Sequence, residues 1–281
     1  MSILQEIVKH KQAEVAERIS LYPIKLLEQS IYFGSKTVSL KKYVLREDKS
    51  GIIAEFKRQS PSKGVINPYA AVERTSIGYM QAGASALSVI TDRKFFGGKN
   101  EDLTVARKFN YCPILRKDFV LEEYQIVEAK AIGADAILLI AAILEPAKLK
   151  ELAAFAKTLD LEVLMEVHNL EELQQNLHPE IDLIGVNNRN LNTFVTDVAV
   201  SKELAQHIPQ DFVRISESGI SNPATIVELR DHGYNGFLIG ESFMQHSRPE
   251  QAAARFVHDL EVLQQKKKQA QAQSLQDSLS R

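Results

Sequence analysis

The chain has 281 residues, 44% of them hydrophobic and 25% charged, the profile of a soluble globular protein built as one large domain or two small ones. Its 34 basic and 36 acidic residues leave a net charge of −2, which excludes the electrostatic footprint of a nucleic-acid or anionic-membrane binder. The apolar stretch around Ala136–Leu144 is too short to span a bilayer, no basic-then-apolar leader opens the chain, and the single Cys112 excludes an intramolecular disulfide, so a reducing cytoplasm is the expected compartment.

Residues 1–45 are predicted helical. Ile3, Ile7, Val8, Val15 and Ile19 mark an apolar stripe, and Pro23 opens a second segment through Leu26, Leu27 and Ile31. This pair is expected as an extension packed across one end of the main domain. From residue 51 onward, strand-like and helical patterns alternate. Strands are predicted over Gly51–Lys57, Ala86–Thr91, Pro113–Arg116, Ala136–Ile140, Val163–Val167, Leu183–Asn187, Val213–Ser218 and Gly236–Ile239. Helices are predicted over Tyr69–Gln81, Glu101–Lys108, Glu122–Ile132, Pro146–Leu159, Leu170–Asn176, Val198–His207, Pro223–His232 and Pro249–Gln265. Gly83, Gly133 and Gly233 mark helix ends.

The repeat averages about 26 residues, a normal length for one βα unit. Short, nearly all-apolar strands, each followed by a helix, indicate a parallel sheet covered by helices. Eight units favour a closed (β/α)₈ TIM barrel over residues 46–265, with the helical extension at 1–45 and a polar tail at 266–281 that prolongs the last helix and then frays. An open doubly wound sheet is the alternative, though no Gly-x-Gly-x-x-Gly follows a strand.

In such a barrel the chemistry sits at the C-terminal strand ends. The first strand ends in Glu55 and Lys57, two residues apart and therefore on one face. The anion-binding groups Arg58, Ser60, Ser62, Lys63 and Gly64 follow. Taken alone, this is equally a strand end with a solvated ion pair. The second strand runs into Thr91–Gly98, an aromatic loop with a glycine pair suited to a mobile flap. Lys117-Asp118, Glu166, Asn187-Asn-Arg-Asn190, Ser216-Glu-Ser-Gly219 and Gly240-Glu-Ser242 close later strands. Each has a bland account: Lys117-Asp118 as a loop ion pair, Glu166 as a solvated strand end, Asn187-Asn188 as turn chemistry. Seven polar ends of eight on one rim favour a site. Gly219 and Gly240 end strands seven and eight, where barrels commonly bind phosphate through backbone N–H groups. Interleaved lysines and carboxylates suit general acid–base work on an anionic sugar phosphate. Seven histidines are scattered without ligand spacing, so no metal is expected.

Several segments resemble the indole-3-glycerol phosphate synthase family of tryptophan biosynthesis. They are Ile53-Ala-Glu-Phe-Lys-Arg-Gln-Ser-Pro-Ser-Lys-Gly64, Leu87-Ser-Val-Ile-Thr-Asp92 with Phe95-Phe96-Gly97, and Pro113-Ile-Leu-Arg-Lys-Asp-Phe119. Leu164-Met-Glu-Val-His168, Ile184-Gly-Val-Asn-Asn-Arg-Asn-Leu191, Ser216-Glu-Ser-Gly-Ile220 and Phe237-Leu-Ile-Gly-Glu-Ser242 continue the match in the family's order. The resemblance implies cofactor-free conversion of 1-(2-carboxyphenylamino)-1-deoxyribulose 5-phosphate, a sugar phosphate with an aromatic carboxylate, to indole-3-glycerol phosphate, carbon dioxide and water. It also implies roles. Lys117 matches the general acid, Glu166 and Glu55 the carboxylates of proton transfer, and Lys57 a lysine that reaches substrate anions. Asn187 and Arg189 match groups holding hydroxyls and carboxylate, Glu217 and Ser218 line the sugar, and Ser60 assists the carboxylate. Gly219, Gly240 and the N–H of Glu241 match the phosphate cup. Phe96, Leu115, Phe119, Leu138, Ile140 and Leu191 match the aromatic pocket, and all six also suit plain barrel core. Association with other tryptophan-pathway enzymes stays open.

Two positions depart from some members: Glu241 stands where they have serine, so its side chain is expected to turn away from the phosphate, and Asn190 where they have aspartate. Two rival readings remain. One is a sugar-phosphate isomerase or Schiff-base aldolase with Lys117 as nucleophile; the other is a non-catalytic sensor of a phosphate ligand.

Overall fold

The computed structural model describes residues 2–191 and 193–279. Eight parallel strands close into a barrel: β1 (Ile52–Phe56), β4 (Ala86–Ile90), β5 (Ile114–Lys117), β6 (Ala136–Ile140), β7 (Glu162–Val167), β8 (Leu183–Asn187), β9 (Val213–Glu217) and β10 (Gly236–Ile239). Each pairs with its neighbour in sequence, and β1 pairs with both β4 and β10, which closes the ring. The fold is a TIM barrel, and the open sheet is excluded.

Alternation along each strand divides two cores. Ile53, Leu115, Leu138, Leu164, Ile215 and Leu238 fill the interior. Ile52, Leu87, Ile114, Ile137, Val163 and Phe237 face outward into the helix layer. Burying each such side chain contributes roughly 1.5–3 kcal/mol, so every strand is held on two faces. The surrounding helices start and stop where local chemistry directs: Asn222 caps the helix opened by Pro223, and Gly133 ends another with φ at 94°, a conformation costly for any residue with a Cβ.

Among the described residues the segment before the barrel holds three helices rather than two. α1 (Ile3–Leu21) opens with a reciprocal cap between Ser2 and Gln5 and lies at the C-terminal rim. α2 (Ile24–Leu27) follows, and α3 (Leu40–Val44) inserts Leu40 and Val44 into the interior cluster. A Cβ on Gly236, the first residue of β10, would lie 2.8 Å from Val44 Cγ1, which places α3 at the N-terminal mouth. The extension therefore reaches both ends of the barrel. Ile19, expected on the apolar stripe, and Ile31, expected in the second segment, are 47% and 84% exposed, whereas Lys11 is 1% exposed.

The loop after β1 forms a small hairpin, β2 (Gln59–Ser60) with β3 (Gly64–Val65). The last helix, α12 (Pro249–Leu279), is prolonged through the polar tail; residues 280 and 281 lie outside the described ones. Among the described residues no helix is long and apolar enough to cross a membrane.

Candidate active site

A cavity of about 570 Å³ opens at the C-terminal ends of the strands. Glu55, Lys57, Lys117, Glu166, Asn187, Glu217 and Gly240 reach it from six strands, and Leu138 and Ile140 floor it from β6. Ser60, Phe96, Phe119, Arg189, Leu191, Ser218, Gly219 and Glu241 complete the expected lining. Leu115 does not line it. It sits one inward position below Lys117, fully buried in the interior cluster, so its place is core beneath the site.

Lys117 stands at the centre. Its Nζ donates to Glu166 Oε2 at 2.8 Å and to Glu217 Oε2 at 3.0 Å. Burial works against its charge, but Glu166, Glu217 and Glu55 together hold its pKa well above the ordinary lysine value. Glu166 is likewise desolvated, yet Lys117 and His168 hold its carboxyl well below the usual range. Glu217 goes the other way: burial, with repulsion from Glu166 and Glu55, outweighs Lys117 and raises it to about 7. Two carboxylates on one ammonium are thus driven apart, one fixed as an anion and one poised to take or give a proton. Gly185 of β8 makes this packing feasible, because a Cβ there would lie 2.2 Å from Glu217 Oε1.

Glu55 and Lys57 pair at 2.8 Å on the inward face, as their spacing predicts. Asn187 Nδ2 donates to Glu166 Oε1 at 3.1 Å. The Arg189 guanidinium donates to Thr196 Oγ1, Ser62 Oγ and Glu241 Oε2 at 3.1, 3.2 and 3.0 Å. Glu241 also meets Lys63 at 3.4 Å. Its side chain therefore lies between two cations at the cavity lining.

On one side Ser218 and Gly219 adopt left-handed φ of 68° and 76°, and Gly240 leads into the short helix Glu241–Met244. Turns of this kind leave backbone amides of the sort that cradle anions. On the other side the rings of Phe96 and Phe119 tilt at 40° with centroids 5.9 Å apart. A polar cup, a central ammonium and an aromatic wall thus share one cavity.

The family model described as "Indole-3-glycerol phosphate synthase" matches residues 4–256. The chain belongs to the indole-3-glycerol phosphate synthase family. It is 49% identical over 255 residues to the indole-3-glycerol phosphate synthase of Bacteroides thetaiotaomicron, covering 91% of this chain and 97% of that one. It is 43% identical over 245 residues to that of Caldanaerobacter subterraneus, covering 86% and 93%. Among solved structures, the tryptophan synthase α-subunit of Pyrococcus furiosus superposes with a TM-score of 0.57 at 14% identity, over 75% of this chain and 98% of that one, a likeness of fold. As a member of the indole-3-glycerol phosphate synthase family the chain is a carboxy-lyase of tryptophan biosynthesis.

Several residues of this indole-3-glycerol phosphate synthase fold escape a reading of strand ends. Ile3, Leu4 and Ile7 of α1 line the cavity, as do Phe194 and Thr196 of the loop after β8. Lys11 of α1 places its Nζ 2.9 Å from Asp118 Oδ1 and 3.0 Å from Asp92 Oδ2. Asp92 Oδ1 in turn accepts the N–H groups of Phe95 and Phe96 at 2.9 and 3.2 Å. One buried ammonium thereby ties α1 to the loop carrying Phe96 and to the end of β5, and that loop is held by a side-chain cap. The only advance sign was a lysine on an otherwise apolar stripe, with partners far along the chain.

Proposed function

We propose that the cavity binds 1-(2-carboxyphenylamino)-1-deoxyribulose 5-phosphate with its aromatic ring on the Phe96–Phe119 wall and its phosphate at the Ser218–Gly219 and Gly240 turns. Holding both ends folds the flexible ketose chain so that the aryl carbon faces the ketone. Attack of that carbon on the ketone develops an alkoxide. The Lys117 ammonium protonates it, and the neighbouring carboxylates keep that ammonium charged until the moment of transfer. Carbon dioxide then leaves, helped by the apolar wall beside the carboxylate. Dehydration requires a base for the ring proton and an acid for the departing hydroxyl. Glu166 serves as base, and Lys57, paired with Glu55, delivers the proton to the hydroxyl. Glu217 touches the same ammonium as Glu166 and is raised to about 7, so it can reset the proton on Lys117 between turnovers. Asn187 orients Glu166, while Arg189 and Ser60 receive the substrate's carboxylate and hydroxyls.

The observation carrying this reading is the position of Lys117 Nζ between Glu166 and Glu217 in a cavity that also offers a phosphate cup and an aromatic wall. A Schiff-base aldolase would need that lysine neutral, and its surroundings favour the charged form. Cytoplasmic residence is supported by a lone cysteine that is buried, its thiol pushed up to about 12 mainly by desolvation. Supplying the carboxyphenylamino ketose phosphate and following indole fluorescence tests the proposal, with borohydride added in parallel. Indole product without a reduced adduct on Lys117 is expected. An adduct, or binding without turnover, contradicts it.

A further inference from the structure

Glu166 has a third neighbour that does not line the cavity. His168 follows β7 on the same inward alternation, and its Nε2 lies 3.4 Å from Glu166 Oε1. That Nε2 is buried and makes no hydrogen bond, so its contact with Glu166 is an ion pair. On its far side, Nδ1 lies 3.1 Å from Glu172 Oε2, which also accepts the His168 backbone N–H at 2.8 Å. Glu172 is itself immobilised in the first turn of α8 (Leu170–Asn176): Asn169 Nδ2 donates to Oε1 at 2.8 Å, and Asn169 Oδ1 accepts the Glu172 N–H at 2.9 Å. The helix start thus fixes Glu172, Glu172 fixes the imidazole, and the imidazole faces the one oxygen of Glu166 not taken by Lys117.

We infer that His168, oriented by Glu172, is a positioning residue that fixes the Glu166 carboxylate from behind and keeps it ionised until it takes the substrate's proton. This rests on the role of base given above to Glu166. With a carboxylate at each ring nitrogen, both nitrogens carry a proton and the ring is a cation. Burial opposes that charge, but Glu166 and Glu172 raise the pKa to about 10. These two are the charged groups facing the ring among the described residues; Lys117 of β5 and Glu217 of β9 reach it only through Glu166. Charges then alternate from Glu172 through His168, Glu166 and Lys117 to Glu217. A base bracketed by two cations ionises at lower pH and does not swing when Lys117 gives up its proton.

The test compares His168→Gln, Glu172→Gln and Glu166→Gln in steady-state turnover across pH, alongside thermal melts. His168→Gln is expected to lower kcat about tenfold, as loss of an orienting partner does, to leave KM within about twofold, and to move the acid limb of the kcat profile to higher pH. Glu172→Gln should shift the same limb by a smaller step. In the parent enzyme, ¹⁵N spectra should show both ring nitrogens of His168 protonated at pH 8. A folded His168→Gln enzyme with parental kcat and an unmoved acid limb, while Glu166→Gln is inactive, would overturn the inference alone. Parental turnover in Glu166→Gln would overturn the base assignment and the inference with it.

Discussion

Lys117 and Asp118 are neighbours in sequence that never meet: Lys117 Nζ lies 2.8 Å from Glu166 Oε2, while Asp118 Oδ1 lies 2.9 Å from Lys11 Nζ on α1. A strand sends successive side chains to opposite faces, so the apparent loop ion pair is two separate networks. One faces the cavity. The other anchors the N-terminal helix, and Arg116 extends it to Glu128 at 2.5 Å.

Lys11→Met is therefore expected to destabilise the protein by about 3 kcal/mol, the scale for removing one partner of a buried ion pair. Asp118 would keep Arg116 and Thr91, but Asp92 Oδ2 would face no cation. Urea unfolding measures the change; a loss below about 1 kcal/mol, the ceiling for most exposed pairs, would show that the network contributes no more than a surface pair.

Gly240 has a constraint beyond phosphate approach. A Cβ there would lie 2.5 Å from Glu55 Oε1 and 3.0 Å from Glu55 Cβ. Gly240→Ala should therefore lower kcat as well as raise KM, by displacing Glu55 from Lys57. Steady-state kinetics separate the two effects, and an unchanged kcat would place Glu55 outside the chemistry.

The role proposed for Arg189 in receiving the substrate makes Glu241 its competitor for the guanidinium. Its carboxylate accepts from the guanidinium at 3.0 Å in a partly exposed mouth. Glu241→Ser should lower KM a few-fold, on the scale of ~1 kcal/mol for a screened ion pair, and weaken the dependence of KM on salt. A raised KM would mean that the carboxylate helps hold Arg189 in its binding pose.

Glu217 sets a pH dependence of stability. Its folded pKa of about 7 exceeds the ordinary 4.5. Between those values the native state binds more protons than the unfolded chain, so this group's contribution, complete below about pH 4.5, is lost as pH rises through about 7. Glu217→Gln should accordingly gain stability relative to the parent from pH 4.5 to 7, and its kcat/KM profile should lose an inflection near the upper value. Parallel melting curves for the two proteins across that window would contradict the shift.

Much of the fold was legible because strand alternation and helix ends are local signals. Ala136–Ile140, Leu183–Asn187 and Gly236–Ile239 are strands with the expected bounds. The placement of the rim residues was legible for a related reason: once eight units imply a barrel, position at a strand end implies the mouth. Depth was not legible. Leu115 and Leu138 are both inward leucines, but which one reaches the cavity depends on the stagger between neighbouring strands. Lys11 and His168 were illegible because their meaning lies in partners supplied by other elements. Gly185 could have been noticed, since a glycine inside an apolar strand marks a close approach.

The central claim is that one ammonium, Lys117, held between Glu166 and Glu217, drives ring closure. The most direct measurement is turnover of the carboxyphenylamino ketose phosphate by Lys117→Ala, followed by indole fluorescence in protein shown to be folded. A fall in kcat of at least about a hundredfold, the usual scale for a general acid, with KM little changed is predicted. Near-parental turnover would contradict the account.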